Sequence, residues 1–161
     1  MPPPEQKIKT MDQRQQIEEL VYRSCLALDE RDFNGFLELC DESFRYSVTA
    51  FSPEIRKDMT WLDHDKAGMG TLFTNLPRHN SDHSPLTRHV TVYTVSGAGD
   101  RAEVVSALQV FRTSLDGGGT GLFAVGRYHD TVKLGAGTPK LLKRVVRMVT
   151  REMGAGYHIP F

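Results

Sequence analysis

Apolar positions first settle into a helical rhythm at Asp12. Ile17, Leu20, Val21, Ser24 and Leu28 recur at i, i+3, i+4, i+7 and i+11, one stripe of a helix, with Glu18, Glu19, Arg23 and Glu30 mostly off it. The charged run Asp29–Asp32 breaks the pattern. Asp32 is suited to cap a second, short helix that carries Phe33, Phe36, Leu37 and Cys40 and ends in Asp41-Glu42-Ser43. Residues 44–51 then alternate as a strand does, and Ser52-Pro53 interrupts them. Residues 54–62 fit either an extended arm or a loop. Asp63 is expected to open a third helix through Ala67, Met69, Leu72, Phe73 and Leu76, which Pro77 closes. Gly68 and Gly70 weaken that helix by about 1 kcal/mol each relative to alanine, so it must lean on packing.

Past a polar loop from Arg78 to Pro85, four strand-like runs follow at about 87–96, 101–114, 122–134 and 140–153. Glycine-rich separators with turn chemistry divide them. Both faces of the second run are fairly apolar, which predicts a central strand covered on both sides. Helices followed by a long antiparallel meander give an α+β order. The expected architecture is a strongly curved antiparallel or mixed sheet wrapped around the N-terminal helices, a cone with one open end. Residues 1–11, Pro-rich and polar, are expected to form a flexible arm ahead of a single domain over residues 12–161.

Composition narrows the function more than the fold. The 161 residues carry 20 Lys+Arg and 20 Asp+Glu, a formal net charge of zero. That balance attracts neither nucleic acid nor an anionic membrane, and it does little to oppose association with other proteins. No apolar run approaches the roughly 20 residues needed to span a bilayer, and the N-terminus lacks a signal-peptide core. Cys25 and Cys40 form no disulfide framework. A cytoplasmic protein is expected.

The chemistry-bearing residues exclude several classes. A Rieske cluster needs two Cys-His ligand pairs at short spacing. Cys25 is followed by Leu26-Ala27-Leu28 and Cys40 by Asp41-Glu42-Ser43, so no cluster is expected in this chain. A mononuclear iron site needs two histidines and a carboxylate on one face. Asp63-His64-Asp65 reads better as a helix start, and His79, Asp82 and His83 lie in a loop between prolines. No G-x-S-x-G nucleophile elbow occurs, and Gly117–Gly119 and Gly121 lie between strands and not before a helix. One enzymatic alternative stays open. A greasy cone can tune a Tyr or Asp for acid–base work, and Tyr22, Asp29, Tyr46, His89 and Tyr128 are the candidates. A cone that only binds a small ligand is also compatible. Lys143, Arg147 and Arg151 fall on one face of the last run, with Arg144 opposite and Arg127 on the strand before, a partner-facing arrangement.

Several short motifs in order resemble a known family. Leu26-Ala27-Leu28-Asp29-Glu30-Arg31-Asp32-Phe33, Phe36-Leu37-Glu38-Leu39, Phe44-Arg45-Tyr46, Asp63-x-Asp65-Lys66, Thr87-Arg88-His89-Val90 and the tail Gly154-x-Gly156-Tyr157-His158-Ile159-Pro160-Phe161 are similar to the β (small) subunits of Rieske ring-hydroxylating oxygenases. Those subunits share the SnoaL-like cone of nuclear transport factor, ketosteroid isomerase and scytalone dehydratase. The stretch 47–62, with Met59-Thr60-Trp61-Leu62-Asp63, looks closer to methanesulfonate-type monooxygenases than to aromatic dioxygenases. The resemblance implies a non-catalytic, supporting subunit without cofactor. Its α-subunit partner carries the Rieske cluster and the mononuclear iron, in assemblies of three α and three β subunits whose β copies trimerise through their sheets.

Overall fold

The computed structural model describes residues 12–135, 137–154 and 160–161. The proposed arm over residues 1–11 and the tail residues 155–159 lie outside these. Two helices open the described chain, α1 (Gln13–Asp29) and α2 (Phe33–Glu38). A hairpin follows, β1 (Cys40–Ser52) with β2 (Lys57–Asp65), and then helix α3 (Lys66–His79). Four strands complete it: β3 (Leu86–Ala98), β4 (Arg101–Thr113), β5 (Thr120–Lys133) and β6 (Lys140–Met148). One six-stranded sheet runs in the order β2-β1-β6-β5-β4-β3. Every pairing is antiparallel except β1 with β6, which is parallel. The sheet is therefore mixed, and the helices pack on its inner face.

Local chemistry explains where the elements begin. Asp12 caps α1 in a reciprocal box with Gln15, accepting from the Gln15 amide at 2.8 Å while the Gln15 side chain accepts from the Asp12 amide at 3.0 Å. Asp32 caps α2 through the Gly35 amide. The stripe predicted for α1 is buried, from Ile17 to Leu28. Phe36, Phe44, Phe73 and Met69 join it to α2, β1 and α3, with Phe33 stacked on Phe73 at 4.3 Å.

Several boundaries differ from the sequence expectation. Helix α2 stops at Glu38, and Cys40 already belongs to β1, where it pairs with Leu141 of β6 ahead of the buried alternation Phe44, Tyr46, Val48, Ala50. Residues 57–65 form strand β2. As an edge strand, β2 has few buried positions and hence no apolar period to reveal it. Asp63 and His64 accordingly lie in β2, and it is Asp65 that caps α3 through the Gly68 amide at 2.7 Å. Helix α3 runs through Pro77 to His79, since a proline so near the end forfeits only a last-turn hydrogen bond.

Strand β6 ends at Met148, so Arg151 lies beyond it. Strand β4 has neighbours on both edges but is covered on one face only. Ala102, Val104, Ser106, Leu108 and Val110 are buried, whereas Glu103 and Gln109 on the other face are exposed. Val105, Ala107 and Phe111 on that outer face give it the appearance of an interior strand.

Candidate functional site

Inside the cone the polar groups are paired with one another. Asp130 on β5 and Arg144 on β6 are opposite neighbours, and both side chains are 0% exposed. Arg144 donates from Nε and Nη2 to the two Asp130 oxygens at 2.8 and 2.9 Å. Its guanidinium lies 3.9 Å above the centre of the Tyr128 ring. Burial opposes the Arg144 charge, but the Coulomb attraction and hydrogen bonds of Asp130 outweigh it and hold the group protonated. Desolvation pushes the phenols of Tyr46 and Tyr128 up, far from any role as bases near neutrality.

Tyr46 is committed to the end of the chain. Its hydroxyl accepts from the Phe161 amide at 2.8 Å and donates to the Phe161 backbone oxygen at 3.1 Å. Arg88 on β3 does comparable work nearby. It donates from Nη2 to the Pro160 carbonyl at 2.8 Å and from Nη1 to Asp29 at 2.6 Å.

The five residues of the acid–base alternative do not form one pocket. Tyr46 and Tyr128 are sealed inside. His89 points outward from β3, exposed, with its ring edge on Phe111 at 5.1 Å, because it is out of phase with the inward Arg88 and Leu86. Tyr22 and Asp29 do share a face of α1, and both serve the free edge of β3. The Asp29 carboxylate accepts from the Arg88 amide and Tyr22 Oη from the Val92 amide. An open groove of about 560 Å³ beside them includes Tyr22, Asp29 and His89. Its phenol and carboxylate are already engaged in covering an exposed strand edge.

No three His, Cys, Asp or Glu side chains among the described residues are grouped to hold a metal ion. Asp63 pairs with Arg45 at 2.7 Å, Asp65 caps α3, and Asp82 pairs with Arg112 at 2.7 Å. Cys25 and Cys40 are buried free thiols. Desolvation raises both, Cys40 to about 12, so neither offers a thiolate.

The outer sheet face has a different character. Arg127 and Arg147 stand directly opposite each other on β5 and β6, with Lys143 two same-face pairs further along. All three are exposed, and among the described residues none is paired with a carboxylate. Like charges directly across a sheet repel. His129 lies on the same outer face, and its pKa is lowered by burial first and then by Arg147 and Arg127. Arg151 stands apart from this group, held by Glu54 through bonds of 2.9 and 2.8 Å.

Sequence reasoning missed Asp130 and Arg88 and gave Arg144 no task. The available signal was phase. Asp130 alternates with Tyr128 and Val132, and Arg144 with Val146 and Met148, so opposite charges occupy core-facing positions on adjacent strands.

Among the described residues no helix is long and apolar enough to cross a membrane. The SnoaL-like domain family matches residues 9–145. The chain is 41% identical over 149 residues to the hydroxylase β subunit of methanesulfonate monooxygenase from Methylosulfonomonas methylovora, covering 87% of this chain and 82% of that protein. It is 32% identical over 145 residues to the β subunit of 2-aminobenzenesulfonate 2,3-dioxygenase from an Alcaligenes species, covering 89% and 96%. A solved structure of naphthalene 1,2-dioxygenase superposes with a TM-score of 0.69 at 18% identity, over 91% of this chain and 84% of that one. The chain belongs to the SnoaL-like domain family, alongside the β subunits of methanesulfonate monooxygenase and 2-aminobenzenesulfonate 2,3-dioxygenase.

Proposed function

We propose that this chain is the small, supporting subunit of a multicomponent Rieske-type oxygenase, and that oxygen chemistry takes place in a separate α subunit. The observation that carries the reading is the 41% identity to an oxygenase β subunit, spread over 87% of the chain. The cone interior is consistent with it. The central charged pair is spent on itself, both interior phenols are held neutral, and the thiols are protonated. These are features of a scaffold and not of an acid–base site.

The exposed strip of Arg127, Lys143 and Arg147 gives the assembly a physical motive. Uncompensated like charges on a strand pair are relieved when an acidic surface covers them. A neighbouring copy of this chain, in a ring of three, is the partner that fits the expected arrangement of three α and three β subunits. The α subunit is expected to bring the Rieske cluster and mononuclear iron, so none is required here.

Co-expression with a candidate Rieske-type α subunit from the same source tests the proposal. Co-elution as one large complex, with iron absorbance following the α subunit, is the expected result. A small molecule turned over by this chain alone, or a stable monomer that ignores the α subunit, would overturn it.

A further inference from the structure

Among the described residues, large apolar side chains are left exposed in two places. Tyr22, Leu26 and Tyr93 border the groove beside the β3 edge, which α1 already covers. The other five are gathered at one end of the sheet, and each is more than half exposed. Phe51 and Val149 follow directly on the last β1–β6 pair, Ala50 with Met148. Ile55 lies in the turn between β1 and β2, Leu115 in the turn between β4 and β5, and Leu122 on β5. Because β1 and β6 run parallel and β5 runs against them, the ends of the first two lie beside the start of the third. The opposite end, made by the β3–β4 and β5–β6 turns, carries no such side chain among the described residues.

Five side chains of this size present roughly 500 Å² of apolar surface, at the upper end of what a free-standing monomer shows. That is enough for the apolar core of an interface burying about 800 Å² on each partner. The ion pair set among them is self-contained, since Glu54 accepts from Arg151 and from the Ser52 hydroxyl. This end therefore calls for apolar cover, whereas the strip of Arg127, Lys143 and Arg147 calls for a counter-charge. The two surfaces suit different neighbours. A ring of like copies joined through the sheet face uses lateral surfaces, and the strand ends are left for a partner of another kind.

We infer that the sheet end bearing Phe51, Ile55, Leu115, Leu122 and Val149 is the seat of the α subunit, which meets it with an apolar, largely uncharged surface. The inference rests on the oxygenase reading above and adds to it the place of contact.

The full chain is titrated with a candidate Rieske-type α subunit from the same source, and binding is read by sedimentation. Leu122→Asp combined with Val149→Asp should weaken α binding at least tenfold, while the oligomer size of the chain on its own stays that of the parent. Should that variant fail to fold, Ile55→Asp with Leu115→Asp, both in turns, is held to the same criterion. Undiminished α binding by a folded variant would overturn the seat and leave the oxygenase reading standing. Loss of self-association with α binding retained would give this end to a second copy of the chain, and so would also overturn the inference. A parent chain that binds no α subunit would overturn both.

Discussion

Replacing Asp130 with asparagine isolates the cost of a buried, unbalanced charge. Asp130 and Arg144 are both fully buried, and the pair is joined by two hydrogen bonds. The amide of an asparagine at this position would keep one acceptor oxygen, so the shape is nearly preserved while the negative charge disappears. An arginine left without its counter-ion in an interior of low polarizability destabilises by about 3–5 kcal/mol. Against a whole-domain stability of about 5–15 kcal/mol, that is a large fraction. For a chain of this size, 1 kcal/mol moves the melting temperature by about 2–4 °C, so a drop on the order of 10 °C is expected.

Urea titration and thermal melts of the single and paired variants provide the assay. The pair Asp130→Leu with Arg144→Met removes both charges together and should recover most of the loss, since well-packed apolar replacements of buried ion pairs are often neutral or stabilising. Some deficit remains because the stacking of Arg144 on Tyr128 goes too. Arg151→Ala serves as the comparison: its pair with Glu54 is 43% and 65% exposed, and little change should be measurable. A loss below about 1 kcal/mol in Asp130→Asn, or a double variant as unstable as the two singles summed, refutes the reasoning.

Charge reversal at Arg127 and Arg147 together should lower the oligomer size by sedimentation while the melting temperature stays within a few degrees; an unchanged assembly would remove the strip from the interface. Arg151, paired with Glu54, is expected to matter less there. Hydrogen bonds from the Ser43 hydroxyl and amide, then Lys133, hold Asp41 down at about 2 against an ordinary 3.8. Its contribution is therefore complete above pH about 3.8 and lost as the pH falls towards 2, so Asp41→Asn should show a shallower acid loss in urea midpoint than the parent; parallel curves would contradict this. A Cβ on Gly126 would stand 2.7 Å from the Arg147 carbonyl, so Gly126→Ala must shift a strand and should cost about 1–3 kcal/mol by urea titration, with no loss arguing that β6 yields freely.

Element type was legible wherever burial imposed a period. Helix α1 and the four strands of the meander carry regular apolar spacing because each buries one face against the other. Strand β2 buries almost nothing and was invisible for that reason. The parallel seating of β1 against β6 leaves no local trace, since it is a relation between distant segments. Roles inside the cone were harder. Asp29 stood out only as the start of a charged run and as an acid–base candidate, and its partner Arg88 was named only as part of a motif. The Asp130–Arg144 pair needed strand register to be seen as a pair at all. The family resemblance rested on short motifs in order, and the 41% identity to a methanesulfonate monooxygenase β subunit agrees with the narrower likeness that residues 47–62 had suggested.

The parallel seam between β1 and β6 has a consequence for how the chain matures. Tyr46 lies beside Arg144, and Val48 beside Val146, so the first strand waits for the last before its inner edge is satisfied. Such distant pairings must close a long loop before they are rewarded, which slows folding. On the ribosome, the hairpin of β1 and β2 would emerge with one edge bare until β6 has been synthesised. Nascent chains stalled before residue 140 should therefore be the aggregation-prone species, and chaperone engagement would matter most during that interval.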